Sequence, residues 1–171
     1  KTMEIIDTKG QKNTTDKFYF LCKPIPKKKE IPESTYHSHI LNDGENWYCT
    51  DGKRMHVIKN DGFKSGVYEV TKNNKSQVIL VETDKNASCF PDMKAVIPNI
   101  DNAKKIVCNE NHISHSYARI IRAMNPERCF QFKYLEDVLL DKNFTAYVCG
   151  ASEPIKFEAE NKFALIMPMR F

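Results

Sequence analysis

Four residues come nearest to a metal-binding pattern: Cys108, His112, His115 and Cys129. Thiolate and imidazole are ligands that zinc prefers, but the Cys-x-x-x-His-x-x-His start lacks the spacing of the common zinc modules. Buried thiols beside imidazoles on a helix surface account for the same residues. No metal or other cofactor is assigned. His37 and His39 alternate with Tyr36 and Ser38, which places both imidazoles on one face of an extended segment, too small a set for ligation. The chain has no Gly-x-x-x-x-Gly-Lys phosphate loop, no nucleophile elbow and no His-Glu-x-x-His. Catalysis has little to stand on, and an enzyme is not expected. The tail Leu165-Ile166-Met167-Pro168-Met169 combines aliphatic side chains with thioethers, and methionine repacks readily around different apolar ligands. A plain core strand has the same composition.

The 171 residues, 41% of them hydrophobic, suffice for the core of one domain, or of one domain with a small extension. A formal net charge of +4 and a pI near 8.7 are compatible with touching nucleic acid, yet fall short of the dense basic clustering of a dedicated DNA-binding tail. The cysteines at 22, 49, 89, 108, 129 and 149 form no Cys-x-x-Cys pair, and several occupy apolar strand positions. Such usage fits reduced thiols and a cytoplasmic protein. No segment approaches the ~20 apolar residues of a membrane span, and no basic head precedes an apolar stretch at the amino end.

Stepwise along the chain, Met3 to Asp7 predicts a strand, and Thr14-Thr15-Asp16 a cap for a short helix carrying Phe18, Leu21 and Cys22, stopped by Pro24 and Pro26. Three strands, Thr35 to Leu41, Asn46 to Thr50 and Arg54 to Lys59, are separated by turns at Asn42-Asp43-Gly44 and Asp51-Gly52. A hairpin follows, Gly66 to Val70 and Gln77 to Thr83, around Lys72-Asn73-Asn74-Lys75. Ile113, Tyr117, Ile120, Ile121 and Met124 recur at helical spacing up to Pro126. Cys129 to Lys133 reads as a strand and Tyr134 to Asp141 as a helix. Strands at Thr145 to Cys149, Pro154 to Glu158 and Phe163 to Met167 complete the chain. The carboxyl end thus reads β-α-β-β-β and the first sixty residues read the same way with a poorer helix, which suggests two related halves, 1–99 and 100–171, in one α+β domain over 1–171.

Three segments carry a family resemblance. The ending Met167-Pro168-Met169-Arg170-Phe171, the stretch Cys49-Thr50-Asp51-Gly52-Lys53-Arg54-Met55 and the segment Phe90-Pro91-Asp92-Met93-Lys94-Ala95-Val96-Ile97-Pro98 resemble, in the same order, motifs of the bacterial replicative sliding clamps, the beta-subunit type. Phe130 to Leu139 is similar to a fourth. The resemblance implies a clamp fold: two β-α-β-β-β units of antiparallel sheet with helices on one face. It also implies an apolar groove for short Gln-x-x-Leu-Phe-type peptides of polymerases or repair proteins. Carried over residue by residue, that groove comprises Thr50, Gly52, Arg54, Met55, Pro98, Gln131, Tyr134, Ser152, Pro154, Leu165, Ile166, Met167, Pro168 and Met169. Gly52 would allow the sharp turn, Arg54 would hydrogen-bond the peptide, and Tyr134 would act as a gate.

The family normally carries three such domains per chain, and two chains close round duplex DNA, so a homo-oligomeric ring of this shorter chain would need several copies. Lys23, Arg119 and Arg122, with Lys17 and Lys27 to Lys29, are the cations that would meet double-stranded DNA without sequence readout; solvated surface charge is the plainer account of them. Glu136, Asp137 and Asp141 would repel phosphate. Two functions stay open: a processivity factor that slides on DNA, and a clamp-derived module that captures clamp-binding peptides without encircling DNA.

Overall fold

A computed structural model describes residues 2–26, 38–140 and 142–170. The chain divides into two compact units at Met93/Lys94, inside the Phe90–Pro98 segment.

In the first unit, β1 (Ile5–Asp7), β2 (His39–Asn42), β3 (Asn46–Thr50), β4 (Arg54–Lys59), β5 (Gly66–Asn73) and β6 (Val78–Thr83) form an antiparallel sheet in the order β1-β6-β5-β2-β3-β4. Helix α1 (Lys12–Leu21) packs against β3, β4 and β6. Its buried Phe18 meets Trp47 edge-on at 5.2 Å, and Trp47 lies 4.8 Å from Tyr68. The fully buried indole keeps a partner for its N–H, which donates to Asn60 Oδ1 at 3.1 Å. Below it, His56 Nδ1 donates to the Phe20 carbonyl at 2.7 Å, fixing the tautomer of a buried imidazole.

Helix α1 starts before the expected cap. Thr14, Thr15 and Asp16 lie inside it, because the buried Thr15 hydroxyl is spent on Thr8: it lies 3.0 Å from the Thr8 carbonyl and 2.7 Å from the Thr8 hydroxyl. The β5–β6 hairpin is longer than expected and turns later, at Asn74 to Gln77. Lys72 and Asn73 pair with Ile79 and Val78 across a bulge, and Asn74 Oδ1 accepts from Ser76 N and Gln77 N. The expected start of β2 at Thr35 and the basic run Lys27 to Lys29 fall outside the described residues.

The second unit contains β7 (Lys104–Cys108), α2 (Ile113–Ala123), β8 (Arg128–Cys129), α3 (Phe132–Val138), β9 (Phe144–Val148), β10 (Ile155–Ala159), β11 (Lys162–Ile166) and β12 (Met169–Arg170). One antiparallel sheet runs β11-β10-β9-β7, and β12 pairs with β8 in a second, two-stranded sheet. Phe144, Ala146, Val148, Ile155 and Phe157 alternate inward from adjacent strands, joined by Ile120 of α2 and by Leu135 and Val138 of α3. The expected strand Cys129 to Lys133 shortens to two residues, since α3 already begins at Phe132 and Phe130 is buried against Tyr117 at 5.1 Å. Strand β7 was not expected. Its pattern Lys-Lys-Ile-Val-Cys exposes Lys105 and Val107 and buries Ile106 and Cys108, a period of two that is too short to stand out in sequence.

Candidate functional site

The first unit contributes the Thr50 to Met55 turn between β3 and β4. Gly52 takes φ +85°, a left-handed conformation suited to glycine. The Thr50 hydroxyl donates to the Arg54 carbonyl at 2.7 Å and accepts from Gly52 N at 3.1 Å, while Asp51 Oδ1 accepts from Lys53 N and Arg54 N. The turn is thus closed by its own side chains. Arg54 Nη2 donates to the Lys23 carbonyl at 3.0 Å, just past the end of α1, and Nε lies 3.5 Å from Asp51 Oδ2. The guanidinium therefore joins this turn to the helix end. Thr50 and Met55 are buried, directly opposite one another in the β3–β4 register. Lys23 Nζ lies 4.0 Å from the centroid of the Tyr19 ring, a cation–π contact.

The second unit contributes the remaining residues. Leu165 and Ile166 are buried in β11 opposite Lys156 and Ile155. Strand β11 stops there. Pro168 is buried, and the methionines on either side of it are exposed, Met167 at 40% and Met169 at 38%. The chain then crosses to β8, where Met169 pairs with Cys129 and Arg128 Nη1 donates to the Pro168 carbonyl at 3.1 Å. Tyr134 is buried in the first turn of α3 and Gln131 is exposed at its start. Phe132, next to Gln131, is also exposed, edge-on to Tyr117 at 5.3 Å. Ser152 is exposed and Pro154 buried in the β9–β10 loop; Pro98 is buried after the turn at Lys94–Val96.

Beside the tail lies a shallow, open depression walled by Met124, Arg128, Val148, Cys149, Glu153 and Pro168 among others. Pro168 alone of the expected residues lines it. Arg128 had no motif to mark it; its importance follows from the β8–β12 pairing, which no local pattern announces. Burial pushes the Cys149 thiol above its ordinary value, with the Glu153 carboxylate acting in the same direction.

Among the described residues no three His, Cys, Asp or Glu side chains gather as a metal site. Cys108 is fully buried, whereas His112 and His115 are exposed. His39 is buried, its Nδ1 2.8 Å from Ser38 Oγ, and His37 lies outside the described residues. Arg119 and Arg122 are exposed on α2, with Arg119 Nη1 donating to the Val107 carbonyl at 3.3 Å; Lys17 is exposed on α1. No helix of the described residues is long and apolar enough to cross a membrane.

Strand order, helix placement and the tail together define a sliding-clamp fold, of the mixed α+β type with antiparallel sheets. Comparison with solved structures agrees over the whole chain. The DNA polymerase sliding clamp from Pseudomonas aeruginosa is similar at a TM-score of 0.61 and 12% identity, over 99% of this chain and 66% of that one. The DNA polymerase III beta chain from Streptococcus pneumoniae is similar at 0.60 and 14%, over 100% and 65%. The DNA polymerase III beta subunit from Thermotoga maritima is similar at 0.63 and 12%, over 100% and 66%. The chain thus spans just under two-thirds of the length of these clamps. No family model and no curated protein matches the sequence.

Proposed function

We propose that this chain is a nonenzymatic, cytoplasmic clamp-type protein of DNA replication that docks short Gln-x-x-Leu-Phe-type peptides of polymerases or repair proteins beside its carboxyl-terminal strand. The observation that carries this reading is the pair of half-exposed methionines, Met167 and Met169, set on either side of a buried proline whose carbonyl is held by Arg128. A core strand would bury its large apolar side chains; this segment presents two adaptable ones to solvent. Exposed Phe132 and Gln131 supply further apolar and polar contacts on the same unit. Thr50, Gly52, Arg54, Met55, Pro98, Tyr134, Ser152, Pro154, Leu165 and Ile166 complete the groove by resemblance. In this reading the buried members shape its floor and Arg54 stiffens the turn.

As a processivity factor the protein would hold double-stranded DNA loosely through Lys23, Arg119 and Arg122, and assemble as a homo-oligomeric ring. A second reading is a clamp-derived, peptide-capturing module that does not enclose DNA. A labelled Gln-x-x-Leu-Phe peptide titrated into wild type, Met167→Ala and Tyr134→Ala tests the groove. Truncating an anchor contact costs about 1–2 kcal/mol, so binding weakens by roughly 5- to 30-fold in Met167→Ala, whose exposed site keeps the fold intact. Equal affinity in all three proteins sinks the groove.

A further inference from the structure

The two tail methionines have a third sulfur beside them. In the β8–β12 pair Met169 stands directly opposite Cys129, whose thiol is free. Directly opposed residues of an antiparallel pair share a face, with Cβ atoms about 4.5–5.5 Å apart. That face is open, since Met169 is exposed and Cys129 half-buried. Met167, also exposed, lies two positions before Met169, and extended backbone turns it to the same side. Arg128 and Arg170, the other opposed pair, alternate to the opposite face, which leaves the sulfurs without a cation among them. The backbone beneath is anchored: Pro168 is buried and its carbonyl accepts from Arg128 Nη1 at 3.1 Å. The chain's other sulfurs are dispersed by comparison, with Met55, Met93, Cys22, Cys49 and Cys108 all buried in cores.

We propose that Cys129, Met167 and Met169 form a binding site for a soft monovalent metal ion of the Cu(I) class. One thiolate and two thioethers are donors that soft ions prefer, whereas hard cations such as Mg²⁺ and Ca²⁺ take oxygen ligands. Binding exchanges a proton for the metal: the S–H bond of Cys129 breaks, an S–metal bond forms and the proton leaves to solvent. Each thioether donates a lone pair and loses nothing. The single thiolate cancels the charge of a monovalent ion, so the occupied site is neutral beside the apolar tail, and a divalent ion would leave a positive charge there. No strand has to move. Pairing fixes the Cys129 and Met169 backbones, the buried proline fixes the spacing to Met167, and the three rotatable bonds of each methionine bring the sulfurs together. Metal binding stands apart from peptide docking, yet both use the same thioethers, so an occupied site withdraws Met167 and Met169 from a peptide.

Anaerobic competition for Cu(I) against the colorimetric chelator bicinchoninate tests the site on the full, reduced chain, with ascorbate holding the copper as Cu(I) and circular dichroism verifying folding. Wild type withdraws one equivalent of Cu(I) from the chelator. Met167→Leu and Met169→Leu keep an apolar side chain of similar size, and each weakens binding about tenfold; Cys129→Ser, which removes the anionic donor, weakens it about a hundredfold. Cys89→Ser, which removes the exposed thiol of the first unit, leaves the affinity of wild type. Adventitious capture by surface thiols gives the reverse pattern, with both leucine variants equal to wild type and a loss in Cys89→Ser. That pattern, or a wild type that takes no copper from the chelator, overturns the inference. The assay contains no peptide, so failure of the docking groove and failure of the metal site are read separately.

Discussion

Thr8 offers a test in which two substitutions of the same chemistry differ in outcome. It is fully buried between β1 and α1, and its hydroxyl accepts from Val78 N at 2.9 Å while lying 2.7 Å from the Thr15 hydroxyl. Its carbonyl already accepts from Gln11 N at 2.9 Å and lies 3.0 Å from the Thr15 hydroxyl. Thr8→Val keeps the shape but leaves the Val78 N–H buried without an acceptor, a desolvation cost of about 1–3 kcal/mol, and also loses the hydroxyl pair, for a total of about 2–4 kcal/mol. Thr15→Val strands nothing: the Thr8 carbonyl keeps Gln11 N and the Thr8 hydroxyl keeps Val78 N. Its cost is about 1 kcal/mol, since Val and Thr have similar helix propensities. Urea unfolding reads the difference as a midpoint shift of about 1–2 M for Thr8→Val and less than half of that for Thr15→Val. Equal losses, or the larger loss in Thr15→Val, would refute the assignment of Thr8 as the residue that closes the β1–β6 ladder.

Stability should also fall at alkaline pH. Burial pushes the Cys108 thiol from its ordinary 9.0 to about 11, and raises Cys22 and Cys49 as well. Above pH 9 the unfolded chain loses thiol protons that the folded chain keeps, so the unfolded state binds fewer protons and stability drops as pH rises. Each thiol contributes about 1.4 kcal/mol per pH unit between those two values. Urea unfolding of Cys108→Ala between pH 9 and 11 should show a slope flatter by that amount, and an unchanged slope contradicts it. For DNA, Arg119→Glu with Arg122→Glu should lower the affinity for a long duplex equally across sequences. The salt slope should shrink by about 2 if both residues meet phosphate; an unaltered slope assigns them to solvated surface.

Legibility in the sequence tracked how locally each feature is determined. Strands β3 and β4 fall where expected because the turns beside them are closed by residues within a few positions: Asn42 and Asp43 cap Gly44 to Asn46, and Thr50 and Asp51 close Gly52 to Arg54. Helix α2 is legible for the same reason, its apolar stripe being a property of eleven consecutive residues. What failed was settled by partners outside the segment itself. Thr15 reads as a cap until Thr8 claims its hydroxyl, and β7 becomes a strand through its pairing with β9, some forty residues on. The site divides similarly. The motif segments could be named from sequence, but whether a side chain in them faces solvent depends on pairing, and Leu165 and Met167 illustrate both outcomes two residues apart.

The tail shows how one residue type makes that difference. Proline has no N–H to offer a neighbouring strand, so Pro168 is poorly suited to continue the ladder beyond Ile166. The ladder ends at Ile166↔Ile155, and the chain finds its next partner in β8. Pro168 is buried across that crossing, and its carbonyl, which would otherwise lack a strand partner, is taken up by Arg128. With position 168 turned inward, the alternation of extended backbone puts Met167 and Met169 outward together. Two neighbouring apolar side chains are thereby held at the surface by a backbone anchored on both sides, whereas a free terminus would let them fold back onto the nearest apolar wall. The proline that breaks the strand is thus what presents two apolar side chains to solvent where the composition alone predicts core.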